Sequence, residues 1–331
     1  MDLENFNKAL SWIKENYTFL LATHVQPDVD GLASILTLAQ ALNYLGKKAL
    51  PGVEEIPEEA LFLHGSSLLK LPEEIKDFKA EVVIVADAHS PKRIPQKIWE
   101  KLNLKAKFLI IDHHIWNKET SFSEEEIFII DSKVPSTTYL IYQLLKMGNF
   151  PITSEMAENL LAGLYFDTGG FRYENVTKET FLFASELVNL GARPSWVACQ
   201  IFENISLAQV EFLKKVLQNL EFINHGEIAF SYLTFEDFQK VGVFNLSKDW
   251  VNFLRSLQGV KVAVLLKEVE KGKVSVSLRS KAPFEVVDLA KKFGGGGHRY
   301  ASGFKIETQN FKDTLTYLKR FVSKFYERKF L

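Results

Sequence analysis

A single cysteine, Cys199, stands in 331 residues, inside a helical pattern. One thiol excludes an internal disulfide and fits a reducing, cytoplasmic compartment. No run of about 18 uninterrupted apolar residues occurs, so no membrane-spanning helix is expected. The opening MDLENFNKAL carries acids and lacks a basic segment, so no export signal is expected either. There is no internal repeat and no low-complexity tract. With 47% hydrophobic and 24% charged residues, the composition excludes a disordered or fibrous chain. The length exceeds what one small core needs and implies two domains. No sign of charge dominates, since 40 Lys/Arg face 41 Asp/Glu. That balance hides a division: residues 1–215 carry 21 basic and 29 acidic side chains, net −8, and the remainder 19 and 12, net +7. The basic second half points to phosphate or nucleic-acid contact.

What is present is an alternation of short apolar runs with helical patterns. TFLLATH (18–24), EVVIVAD (81–87) and AKFLIID (106–112) read as strands, EEIFIID (125–131) as a fourth, and GLASILTLAQALNYLG (31–46) as a helix closed by Gly46. Continuous apolar character implies strands buried on both faces, as in a parallel sheet between helices. Helical patterns fill 136–148, 154–167 and 177–191 and continue to Leu220. Strand patterns return at 226–233, 260–269 and 273–280, the last two joined in a hairpin across Glu270–Lys273. A short helix (284–293), a glycine run and a C-terminal helix (309–329) follow. The expected fold is α/β: a parallel-sheet domain over 1–190, a helical linker over 191–219, and a smaller α/β domain over 220–331, with the active site in the interdomain cleft.

Ionisable residues gather where these elements end. His24 ends the first strand, and Asp28 and Asp30 occupy the turn before the first α/β helix. Asp87 ends the second strand, Asp112-His113-His114 the third, and Asp167 an apolar helix. Any one of these is read equally well as a helix cap or turn residue. Four converging carboxylate clusters would repel one another without counter-ions. Two divalent cations balance them, and carboxylate with imidazole suits Mn²⁺ or Mg²⁺. The arrangement calls for a two-metal hydrolase. FGGGGHRYASG (293–303) lies between two helical patterns; consecutive glycines free backbone N–H groups to meet an anion, and a helix start just after them would add a favourable dipole.

The HxxxDxD spacing, the strand-ending Asp87, the DHH triplet and the DTG segment resemble the four motifs of the DHH phosphoesterase family, and GGGGH resembles the signature of its associated C-terminal domain. The layout resembles the branch of nano-RNases and pAp phosphatases. The resemblance implies two metal ions, usually Mn²⁺, with His24 and Asp28 on one, Asp30, His113 and Asp167 on the other, and Asp87 on both. It makes His114 the residue facing the scissile phosphate, Asp112 the group orienting the neighbouring His, and a water lowered in pKa by two cations the nucleophile. Arg279, Ser280, Gly296, Gly297 and His298 become substrate-binding residues. Tyr300 is a candidate to stack on a base, and Phe304 is read as core.

The implied activity is removal of mononucleotides from an end of short oligoribonucleotides and dephosphorylation of 3′-phosphoadenosine 5′-phosphate. The partners are then short single-stranded RNA or nucleotides; no obligate protein partner is implied, and a homodimer is compatible. The alternatives are hydrolysis of cyclic-di-AMP or pApA, and a catalytically dead nucleotide-binding module. His89 and Arg93, in DAHSPKRI, fit either a place near the leaving group or a plain loop, and His64 reads as a packing or surface residue.

Overall fold

The protein is described here by a computed structural model covering residues 2–116, 121–242 and 250–330. Two compact units divide the chain, Met1–Asn204 and Ile205–Leu331. The first contains α1 (Leu3–Glu15), β1 (Thr18–Ala22), α2 (Val29–Tyr44), β2 (Lys48–Pro51), α3 (Pro72–Ile75), β3 (Val82–Ala86), α4 (Gln96–Trp99), β4 (Lys107–Asp112), β5 (Glu126–Ile130), α5 (Thr137–Met147), α6 (Ser154–Thr168), α7 (Lys178–Asn189) and α8 (Pro194–Phe202). Its five strands pair in parallel in the order β2-β1-β3-β4-β5.

Burial on both faces of this sheet is direct. Phe19 and Leu21 of β1, Val82, Ile84 and Ala86 of β3, and Leu109 and Ile111 of β4 join one core. Their alternates Leu20, Ala22, Val83, Val85, Phe108 and Ile110 join another on the opposite face. The period of two thus supplies two cores from unbroken apolar strands. Helix α2 belongs to the first core and is almost wholly buried; Asp28 caps it, and Gly46 at φ 74° follows its end. Strand β2 escapes a reading by pattern because it is short, sits at the sheet edge and ends in proline.

The second unit contains α9 (Leu207–Gln218), β6 (Glu221–Ile223), β7 (Ile228–Leu233), α10 (Phe235–Val241), α11 (Val251–Ser256), β8 (Val262–Glu270), β9 (Lys273–Ser280), α12 (Val287–Lys291), β10 (Gly296–His298), β11 (Ala301–Glu307) and α13 (Phe311–Phe330). Its sheet runs β10-β11-β9-β8-β7-β6, antiparallel except for the β7–β8 pair. The expected hairpin joins β8 and β9, with Gly272 at φ 81° in its turn. Helices α12 and α13 cover one face, and α9, α10 and α11 the other.

The glycine run departs from its expectation. It is followed by no helix: Gly296–His298 is itself an edge strand paired with β11. Helix periodicity is absent there because two strands of three and seven residues meet across a tight turn. A Cβ on Gly295 would strike Gly303 O and Phe304, and Gly297 has φ 131° with Ala301 O and Ser302 close by. These glycines allow close strand approach, not a helix dipole.

Candidate metal centre and active site

The order β2-β1-β3 means that the chain leaves β1 toward one side and returns on the other. In an open parallel sheet the crevice at such a reversal, beyond the carboxyl ends of the strands, is where ligands collect. His24 lies two residues past β1, Asp87 directly follows β3, and Asp112 is the last residue of β4. Asp87 adopts φ 61°, a left-handed conformation uncommon outside glycine, which turns the chain sharply at the strand end.

Two sets of donor atoms result. His24, Asp28 and Asp87 each offer one ligand atom within 4.8 Å of the others, and so do Asp30, His113 and Asp167. His24 Nδ1 lies 2.9 Å from Val25 O, a contact that places its proton on Nδ1 and turns Nε2 to the cluster. Asp87 faces both sets: Oδ2 is 3.3 Å from His24 Nε2, and Oδ1 is 3.8 Å from His113 Nε2. Asp167, from the last turn of α6, reaches His113 Nε2 at 2.9 Å. Asp28 Oδ1 also accepts from the amides of Asp30 and Gly31, so the helix-cap and site readings both hold for this residue.

Asp30 is fully buried and lies at the start of α5, where Oδ2 accepts from Thr137 N at 2.7 Å and Oδ1 from Thr138 N at 3.1 Å. Unpaired first-turn amides favour an anion there. The Thr137 hydroxyl donates to Asp87 Oδ1 at 2.9 Å, so one residue steadies a carboxylate of each set. Neither threonine is evident from sequence as part of the site. Ser136-Thr137-Thr138 signals only a helix start, and its partner Asp30 is more than 100 residues away. Gly31 and Gly163 are equally cryptic: a Cβ on Gly31 would strike Thr23 Oγ1 and crowd His24 and Asp87, and one on Gly163 would strike Asp30 and Thr138.

The electrostatics follow from burying so many charges together. Burial disfavours a charged His24, yet its contacts with Asp28 and Asp87 outweigh burial and raise the ring pKa to about 10. His114, countering burial through Asp112 and Asp87, rises to about 11, and His113, through Asp167, to about 9. Burial likewise opposes ionisation of Asp87, but His114 and His24 hold it well below the carboxylate range; His114 and His89 do the same for Asp112. Asp30 is raised by burial and by the charges of Asp167 and Asp87, and Asp167 by burial that His113 offsets only in part. Cations binding here would displace these protons.

The residues fit a divalent cation. His24 Nε2 is buried and makes no hydrogen bond, although it points at the donor atoms of its own set, and buried Asp167 Oδ2 has only the ring nitrogen of His113 beside it. A cation coordinated by nitrogen and oxygen would satisfy His24 Nε2 and take the place of the proton between His113 and Asp167. Asp112 stands apart, because both its oxygens are engaged by imidazoles: Oδ1 by His114 Nδ1 at 2.7 Å and Oδ2 by His89 Nδ1 at 2.6 Å.

In the second unit, His298, Ala301 and Arg279 form one cross-strand row, which puts His298 and Arg279 on the same face about 9–10 Å apart. Ser280 lies on the opposite face, 1% exposed, and its hydroxyl has no hydrogen-bond partner. Arg279 thus shares a sheet face with His298, two strands away, while Ser280 turns to the core side. Phe304 stacks on Phe293 at 4.5 Å, as a core aromatic does.

Residues 18–164 match the DHH family, N-terminal domain, and residues 241–324 match the DHHA1 domain. The chain thus carries a DHH-family N-terminal domain in its first unit and a DHHA1 domain within its second. It is 28% identical over 291 residues to the bifunctional oligoribonuclease and PAP phosphatase NrnA of Thermus thermophilus, covering 86% of this chain and 82% of that one. Over 300 residues it is 28% identical to the protein of the same name from Bacillus subtilis, covering 87% and 89%. The crystal structure of an exopolyphosphatase-related protein from Bacteroides fragilis shares the fold, with TM-score 0.87 over 98% of this chain and 97% of that chain at 24% identity. No helix among the described residues is long and apolar enough to cross a membrane.

Proposed function

We propose that this chain is a metal-dependent phosphoester hydrolase that removes mononucleotides from an end of short oligoribonucleotides and dephosphorylates 3′-phosphoadenosine 5′-phosphate. The observation that carries the reading is the pair of donor sets sharing Asp87 at the β1/β3 reversal, and the names of the relatives supply the substrate class. Asp87 would serve both ions, since its two oxygens face different sets. His24 and Asp28 would hold one ion, and Asp30, His113 and Asp167 the other, with Mn²⁺ the expected metal. Bound there, such ions would lower the pKa of water and neutralise charge on a phosphoryl group.

The chain's own side chains do the rest. Asp112 holds His114 through Nδ1, which leaves Nε2 as the atom to hold or give a proton at the leaving oxygen. Arg279 and His298, on one face of the second sheet, bind phosphate and the terminal nucleotide beside the glycine edge strand at Gly296 and Gly297. Water attack on phosphorus next to a bound terminal nucleotide is common to both reactions, so one site serves both.

The test is turnover with Mn²⁺ on a 5′-phosphorylated RNA dinucleotide, a 24-mer, 3′-phosphoadenosine 5′-phosphate and cyclic-di-AMP. Rapid hydrolysis of the dinucleotide and the bisphosphate, abolished by chelation and restored by Mn²⁺, is the expected result. Preference for the cyclic dinucleotide, or no turnover of any substrate, would overturn the assignment.

A further inference from the structure

We propose that His89 is a positioning residue for the reaction read above, acting on His114 through Asp112. Asp112 is a fully buried carboxylate at the end of β4. Oδ1 takes both the Nδ1 and the backbone amide of His114, at 2.7 and 3.0 Å, and Oδ2 is 2.6 Å from His89 Nδ1. The outcome is a His–Asp–His arrangement with ring centroids 6.3 Å apart. His89 is in none of the donor sets among the described residues that could hold a metal.

A carboxylate on one imidazole alone keeps a soft torsion about its terminal bond. Bonding its second oxygen to an imidazole on a different segment fixes the plane, and with it the direction of the His114 ring. The segment carrying His89 is itself held. It follows the left-handed turn at Asp87, Arg93 N donates to Ser90 O at 3.0 Å, and Val25 N donates to Arg93 O at 2.7 Å. His89 is thus tied through Arg93 to the loop of His24. Without it, Asp112 Oδ2 would be a buried anionic oxygen lacking a donor, free to rotate toward Asp87 or draw in water. The inference rests on the proposed reaction only for the kinetic part of its test.

His89→Asn and His89→Ala separate the possibilities, because the asparagine amide nitrogen stands where Nδ1 stood and nothing replaces Nε2. For His89→Ala, kcat on the RNA dinucleotide is expected to fall about 10- to 30-fold with KM within about twofold, the size expected for loss of such a supporting bond. Calorimetric Mn²⁺ affinity is expected to stay within about twofold, since no ligand is lost. In metal-free protein the downfield Nδ1 proton resonance of His114 should broaden or move upfield in the alanine variant. His89→Asn should restore that resonance and bring kcat to within about threefold of the parent. An asparagine variant as slow as the alanine one would overturn the proposal and move the role to Nε2. Unchanged kcat and His114 resonance in the alanine variant, or a tenfold change in Mn²⁺ affinity, would also overturn it. A parent protein that turns over none of the substrates would sink the proposed function alone; the His114 resonance would still decide the role of His89.

Discussion

The two units handle charge in opposite ways. In the first, parallel strands buried on both faces leave only their carboxyl ends for chemistry, and the functional groups there are side chains: His24, Asp87, Asp112 and His113 at strand ends, with Asp30 and Asp167 from helices beside them. In the second, a mixed sheet ends in a glycine edge strand, so the groups offered are the outward side of that strand's backbone with Arg279 and His298 on one face. Buried carboxylates demand cations, and an arginine beside an exposed edge strand demands anions. On the proposed function the first unit would hold metal and the second phosphate, in keeping with net charges of −9 over residues 1–204 and +8 over residues 205–331.

The sharpest way to break this contrast is to remove one charge from the first unit. Asp87→Asn should lower turnover by at least about a thousandfold, because both proposed ions lose a ligand. Its melting temperature should stay within about 5 °C. Retained turnover would refute the shared-ligand role.

Glycine substitutions compare the regions directly. Gly31→Ala drives a Cβ into Thr23 and toward His24 and Asp87, and should cost about 1–3 kcal/mol in chemical denaturation and about a hundredfold in activity. Gly296→Ala meets nothing within 4 Å. It should change stability by less than about 0.5 kcal/mol, so any rise in KM it causes reports the strand edge as a substrate contact. Arg279→Ala should raise KM about tenfold with kcat within about twofold; an unaltered KM would remove it from binding.

A pH-dependent effect lies away from both sites. Glu158 in α6 is buried and bonded to His64 and to Arg193, which with His64 lies against Trp196. Burial opposes its ionisation, but the Arg193 and His64 bonds prevail and lower its pKa below the ordinary 4.5. A depressed folded-state value means stabilisation that is complete above that ordinary value and lost as pH falls through the folded one. Glu158→Gln should therefore be less stable than the parent by about 1 kcal/mol at neutral pH. The gap should close in acid, as urea titrations at several pH values would register; a pH-independent gap would reject the ionic account.

Local chemistry explains how much of this was readable in advance. Strands such as VVIVA announce themselves by apolar runs, and an Asp or His directly beyond one sits at the sheet's carboxyl edge by necessity. The residues proposed to face the metals were accordingly legible from spacing and family motifs. Thr137 was not, because a threonine at a helix start looks the same whether or not a distant carboxylate uses its amide. His64 was read as ordinary, since its partners Glu158 and Trp196 lie on helices far along the chain. The glycine run was misread as preceding a helix, because four glycines carry no periodicity and the pairing that makes them a strand comes from residues 301–303.

By itself, then, the sequence determined the α/β class, the parallel first sheet, the ionisable residues at its edge and the charge division, all of which follow from local patterning and composition. Tertiary structure alone decided that Asp87 turns one oxygen to each donor set, that Asp30 rests on the first amides of α5, that Ser280 faces the core, and that His89 and His114 share Asp112. Those are contacts between segments far apart in the chain, and they are set by packing and hydrogen-bond satisfaction in three dimensions, on which a one-dimensional pattern places no constraint.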